Sequence, residues 1–101
     1  MNSAEWIAAL RQHGVADDGN EHLDRAALFA ETIAQYAEDD GTVKSASWHE
    51  WRRRTGDQIG WRGARWAMKN LRRHGWLERI GKGEYGCTNR LTIPSRVASG
   101  E

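Results

Sequence analysis

The sequence predicts a mainly α-helical domain carrying a small β-hairpin near its C-terminal end. Three observations predict it: apolar residues recur at helical spacing in the segments before Gly75, the periodicity shortens beyond it, and glycines mark most of the changes. At 101 residues the chain suffices for one hydrophobic core and is too short for two. Hydrophobic residues at 39%, charged residues at 29% and a single proline give the balance of a chain that folds. No apolar run approaches the roughly 18 residues of a bilayer span, and no basic start followed by an apolar stretch marks a secretion signal. Cys87 stands alone and cannot form an internal disulfide, so the cytoplasm is the expected compartment.

Asn2 followed by Glu5 forms a capping-box pattern that opens a helix over about residues 3–13, with Trp6 and Leu10 at helical spacing. The turn-rich stretch 14–22 reads as a loop. From Asp24 as N-cap, Leu28, Phe29, Ile33, Tyr36 and Ala37 form one broad stripe that ends at Gly41. Residues 42–46 suit an extended connector or a one-bridge strand. Ser47 with Glu50 is a second capping box, opening a helix of about two turns over Trp48–Arg54 that stops at Thr55-Gly56. A further helical pattern runs from Trp61 to His74 and closes on Gly75. Two helices joined by a short glycine-containing turn make a helix-turn-helix unit.

Beyond Gly75, the segments 76–80 and 88–93 read as strands flanking Gly81-Lys82-Gly83-Glu84-Tyr85-Gly86, a charged, glycine-rich tip. Pro94 ends the second strand, and 95–101 reads as a flexible tail. The expected organisation is one domain over 1–94, with N-terminal helices in 1–41, the helix-turn-helix in 47–75 and the hairpin in 76–93. Trp48, Trp51 and Trp76 are assigned to the core. Trp6, Ile7 and Leu10 either complete that core or present a face to a second copy of the chain, a homodimer.

The formal net charge of +1 hides a sharp division. Residues 1–43 hold two basic and nine acidic residues, a balance of −7, whereas residues 44–96 hold thirteen basic and four acidic residues, a balance of +9. A cationic half on a nearly neutral chain draws a polyanion to one face.

The order of parts, together with the turn Thr55-Gly56-Asp57-Gln58-Ile59, the apolar positions Ala64, Met68 and Leu71, the junction His74-Gly75-Trp76-Leu77-Glu78-Arg79 and the strand Thr88-Asn89-Arg90-Leu91-Thr92-Ile93, resembles the winged helix-turn-helix domains of bacterial, plasmid and phage regulators and replication proteins. The resemblance covers roughly residues 43–94. The chain differs from the usual pattern in having Trp51-Arg52 in the first helix and Gly60-Trp61 at the start of the second. The resemblance implies a winged helix-turn-helix with two additional N-terminal helices that binds double-stranded DNA in transcription control, replication or mobile-element maintenance, near the nucleoid, without enzymatic activity.

The second helix carries the same implication on its own residues. Ala64, Ala67, Met68 and Leu71 share one face, with Trp61 at its edge. Arg62, Trp66, Lys69 and Arg73 occupy the other, flanked by Arg65 and Arg72. No acidic residue lies between Trp61 and Gly75, so intrahelical ion pairs cannot balance these cations and an external anion accounts for them. Arg62 and Arg65, in the first turns, suit base edges, while Arg72 and Arg73 suit the phosphate backbone. Trp66 is open to two readings, contact with a thymine methyl or sugar, or packing against the N-terminal helix or a second protomer. Lys82, Arg79 and Arg90 on the hairpin suit phosphates or the minor groove, although a plain turn kept soluble by Lys82 and Glu84 explains the tip equally well; Ser47 and Thr55 suit phosphate contact at a helix start, although capping alone also explains Ser47.

His13, His22, His49, His74 and Cys87 show no metal-ligand spacing, no glycine motif precedes a helix to cradle a nucleotide, and no nucleophile has an adjacent base. No cofactor, metal or small-molecule ligand is expected. Two other readings stay open: a winged-helix module that binds an acidic protein through Trp66 and the N-terminal helix, and a binder of structured RNA.

Overall fold

The computed structural model describes residues 2–15, 23–83 and 86–98. Five helices and three strands follow in the order α1 (Ser3–His13), α2 (Leu23–Tyr36), β1 (Thr42–Val43), α3 (Trp48–Arg54), α4 (Trp61–Arg73), β2 (Leu77–Gly83), β3 (Gly86–Leu91) and α5 (Ser95–Ala98). The chain is thus a mainly helical domain with a small three-stranded antiparallel sheet in the order β1-β3-β2.

Helix α1 starts where its capping residue dictates. The Asn2 side-chain oxygen accepts the Glu5 backbone N–H at 2.8 Å, and Gly14 closes the helix with its N–H on the Leu10 carbonyl. Trp6 and Leu10 turn fully inward. The Trp6 indole N–H is shared between the carbonyl oxygens of Trp76 at 2.9 Å and Thr92 at 3.0 Å, which bolts α1 to the strand ends. Trp6 and Leu10 are therefore core residues of their own chain, and the face once open to a second copy is reduced to the half-buried Ile7.

Helix α2 begins at Leu23, so Asp24 lies inside the first turn and not at the cap position. It ends at Tyr36, well before Gly41. The run Glu38-Asp39-Asp40 explains the early stop, because carboxylates at a helix C-terminus oppose its dipole. Gly41, at φ +85°, instead makes the sharp turn into β1. The buried stripe of α2 is Ala26, Phe29, Ala30 and Ile33, while Leu28 and Tyr36, expected inside, stand substantially exposed. The expected loop 14–22 lies outside the described residues beyond Val15, which is itself buried and accepts the Trp76 indole N–H at 3.0 Å.

Helix α3 is capped by Ser47, whose hydroxyl accepts the Glu50 N–H at 3.1 Å. Only half of the capping box forms, because the Glu50 carboxylate is drawn away to Arg53 and Arg54. The turn to α4 passes through left-handed backbone at Gly56 and Asp57. Against the core, α4 lays Ala64, Ala67, Met68 and Leu71, the face its periodicity marks. Packing against α2 and α3 holds it there, and Gly63 permits close approach, since a Cβ would sit 2.9 Å from the Ile59 side chain. Trp51 and Trp76 are buried as assigned, with edge-to-face ring contacts Phe29–Trp51 at 5.4 Å and Trp6–Trp76 at 6.4 Å. Trp48 is only partly covered.

The hairpin ladder runs further than its glycines suggest, from Leu77↔Leu91 to Gly83↔Gly86, so most of the expected six-residue tip belongs to strands. Hydrogen bonds across the ladder compensate the poor strand propensity of Gly81, Gly83 and Gly86, and a bulge between Arg79 and Gly81 absorbs the irregularity. Past Pro94 the chain does not fray at once. Ser95–Ala98 makes a helical turn, and Arg96 donates to the carbonyl oxygens of Gly14 and Val15 at 3.1 and 3.0 Å.

Candidate nucleic-acid interface

Because α4 buries one face against the domain, its other face must be solvent-facing. Arg62, Arg65, Trp66, Lys69 and Arg73 all lie on it and are exposed, while Arg72 is half-buried at its edge. None of the five cations of α4 has a carboxylate within ion-pair distance among the described residues. The Arg62 guanidinium stacks over the Trp61 ring, 5.1 Å from its centroid, which holds both side chains near the start of the helix. The first turn carries no acidic residue to offset the positive end of the helix dipole.

Compensation separates these cations from Lys44, Arg52, Arg53, Arg54 and Arg90. Arg52 pairs with Asp57 at 3.1 Å, Arg53 and Arg54 with Glu50, and Lys44 with Glu38 at 3.0 Å. Two bonds from Arg53 pull the Glu50 carboxyl below the usual glutamate range, with Arg54 adding to the effect, and the same pair raises Arg53. On the hairpin, Glu78 and Arg90 face each other across the ladder and form a 2.6 Å ion pair, so Arg90 is neutralised where it stands. Lys82 is exposed and has no ion-pair partner among the described residues, and its register opposite Cys87 puts it on the sheet face that looks toward α4. Arg79, opposite Asn89, shares that face.

Two of the sequence-predicted positions are occupied by local structure. The Ser47 hydroxyl accepts the cap bond, and the buried Thr55 hydroxyl donates to the Arg52 carbonyl at 2.7 Å within the turn. Trp61 and Trp66 remain 39% and 36% exposed. Asn89 was not singled out by sequence reasoning. It is 2% exposed beside Met68 and Cys87, and its only signal was a polar residue two positions before Leu91, on the inward side of β3.

Among the described residues no group of three His, Cys, Asp or Glu side chains converges to hold a metal, and no helix is long and apolar enough to cross a membrane. No family model matches the chain, and neither a curated protein nor a solved structure does.

Proposed function

We propose that the chain binds double-stranded DNA as a winged helix-turn-helix protein, with α4 in the major groove and the β2–β3 hairpin against the backbone. The observation that carries this reading is the set of five uncompensated cations on one helix whose opposite face is buried. Like charges held together at a surface repel, and a polyanion relieves that repulsion. The succession α2-β1-α3-α4-β2-β3 with sheet order β1-β3-β2 supports it further. Arg62 and Arg65 read base edges from the first turns, Lys69 and Arg73 hold phosphates, and Lys82 reaches the backbone from the hairpin. The biological setting is transcription control, replication or mobile-element maintenance.

Selection from a random duplex library, followed by titration of the selected site, tests the proposal. A sequence preference should emerge, and Arg62→Ala should cost about 1–3 kcal/mol on that site while costing less on random duplex. Failure to retain any duplex at moderate salt would remove the reading. Exposed Trp61 and Trp66 favour a second one, docking of an acidic protein. It predicts that Trp66→Ala abolishes capture of that partner and leaves a duplex gel shift unchanged.

A further inference from the structure

Where α3 and α4 begin, an open cleft of about 400 Å³ is lined by Ser47, Trp48, His49 and Trp61. Capping accounts for Ser47, whose hydroxyl accepts the Glu50 N–H. The two indoles need another reason. Trp48 packs only in part against the core, and Trp61, 39% exposed, lies outside the core cluster. A smaller or polar residue would serve the first position of α4 as well, and an indole left in water forgoes the burial by which that side chain stabilises a fold.

The surroundings of the indoles define what could cover them. Trp48 also walls a second cleft, of about 240 Å³, whose lining includes Arg65 and Arg72, and Trp61 lies under the Arg62 guanidinium, 5.1 Å from its ring centroid. None of these three arginines has a carboxylate within ion-pair distance among the described residues. Indoles set among free cations match a ligand whose flat π faces are joined by anions, a nucleic-acid strand. A free nucleotide matches the indoles alone, since Arg62 and Arg73 stand about 16 Å apart along α4, beyond the reach of one phosphate. Bases inside a continuous duplex are stacked on one another and cannot enter, so the occupant must be unpaired.

We propose that this cleft takes an unpaired base of a DNA strand, stacked against the indoles of Trp48 and Trp61, while the phosphates of that strand run along the cations of α4. The inference rests on the reading of α4 as a phosphate-binding face. It adds to that reading a preference for duplex that carries a strand end, fork or bulge over duplex that is paired throughout. The sequence carries no motif for the site, because its two indoles come from the starts of different helices.

The test compares, by fluorescence anisotropy of the full chain at one salt concentration, a blunt duplex, the same duplex with a short single-stranded overhang of either polarity, and that overhang built from abasic residues. The abasic overhang has the same phosphates, so the difference reports the bases. At least one polarity should bind about tenfold or more tightly than its abasic counterpart. Trp61→Ala should bring that ratio close to one, and Trp61→Phe, which keeps a ring, should retain most of it. Bromodeoxyuridine in the overhang should photocrosslink to Trp48 or Trp61, a measurement that decides the matter should Trp61→Ala fold poorly. A ratio near one in the parent, with the blunt duplex bound, overturns the site and leaves the duplex reading standing. Base-dependent binding of the overhang with no affinity for the blunt duplex does the reverse. A ratio undiminished in Trp61→Ala, or crosslinks confined to other residues, places the bases elsewhere and overturns the proposal, and so does a failure to bind any of the three DNAs.

Discussion

Replacing free and paired cations one at a time separates a duplex-binding face from a generally basic surface. Each phosphate neutralised contributes about −0.9 to the slope of log affinity against log salt, so one contact is worth about 3.5-fold between 50 and 200 mM salt. If Lys69, Arg73 and Lys82 hold phosphates while Arg62 and Arg65 face bases, the slope is about −2.7; if every uncompensated cation of α4 and Lys82 holds one, it is about −5.4. Lys69→Gln and Arg73→Gln should each flatten the slope by about 0.9. Arg90→Gln should leave it nearly unchanged, because Glu78 already neutralises Arg90 at 2.6 Å. Fluorescence anisotropy of a labelled duplex across a salt series reads all four slopes. A parent slope shallower than about −1, or Arg90→Gln flattening it as much as Lys69→Gln, would refute the reasoning.

Trp6→Phe keeps most of the ring but strips the donor from two carbonyl oxygens, and should cost about 1–3 kcal/mol, read as a drop in Tm in a thermal melt. Gly75 sits at φ +85° with the Pro94 Cβ 3.2 Å from where its own would be, so Gly75→Ala combines a strained backbone with a tight contact and should lower Tm while leaving far-ultraviolet circular dichroism unchanged at low temperature. The Glu50 carboxyl is held below its ordinary value chiefly by Arg53, so its contribution is complete above the ordinary glutamate pKa and is lost as pH falls through the lowered folded value. The Tm difference between the parent and Glu50→Gln should therefore narrow as pH drops below about 4.3, and a gap that widens there contradicts the pairing.

The elements legible in the sequence are those set by local chemistry. Asn2 and Ser47 cap their helices through their own side chains, and the buried face of α4 follows from its period, because one neighbour or one repeat decides each. What escaped depends on contacts distant in sequence. The end of α2 responds to the dipole and to the turn into β1, the hairpin ladder carries glycines through a region that looks like a loop, and α5 persists through Arg96 bonds to carbonyl groups more than 80 residues earlier in the chain. The cations of α4 could be marked because no carboxylate lies in their own segment. Arg90 could not be discounted the same way, since Glu78 meets it only through ladder register. Thr55 looked available for the converse reason, that its partner is a carbonyl oxygen and carbonyl groups leave no trace in composition.

Charge density along the chain is therefore a poor guide to the interface, and Arg52-Arg53-Arg54 shows why. This is the densest basic run in the sequence, yet each member has a partner within the domain. Arg54 goes furthest: its guanidinium lies 4.3 Å from the Tyr36 ring centroid and 4.7 Å from that of Trp51, with its side chain only 21% exposed. It thus joins the end of α2 to α3. Such stacking is worth about 0.5–2 kcal/mol, to which lost packing of the stem adds, so Arg54→Ala should lower Tm by several degrees. Duplex affinity measured well below that Tm should stay within about twofold, since a guanidinium stacked on Tyr36 and Trp51 and only 21% exposed is withheld from phosphate. A variant that melts like the parent but binds duplex tenfold more weakly would mean that Arg54 leaves its stack to meet DNA, and compensation within the free protein would no longer identify the binding face.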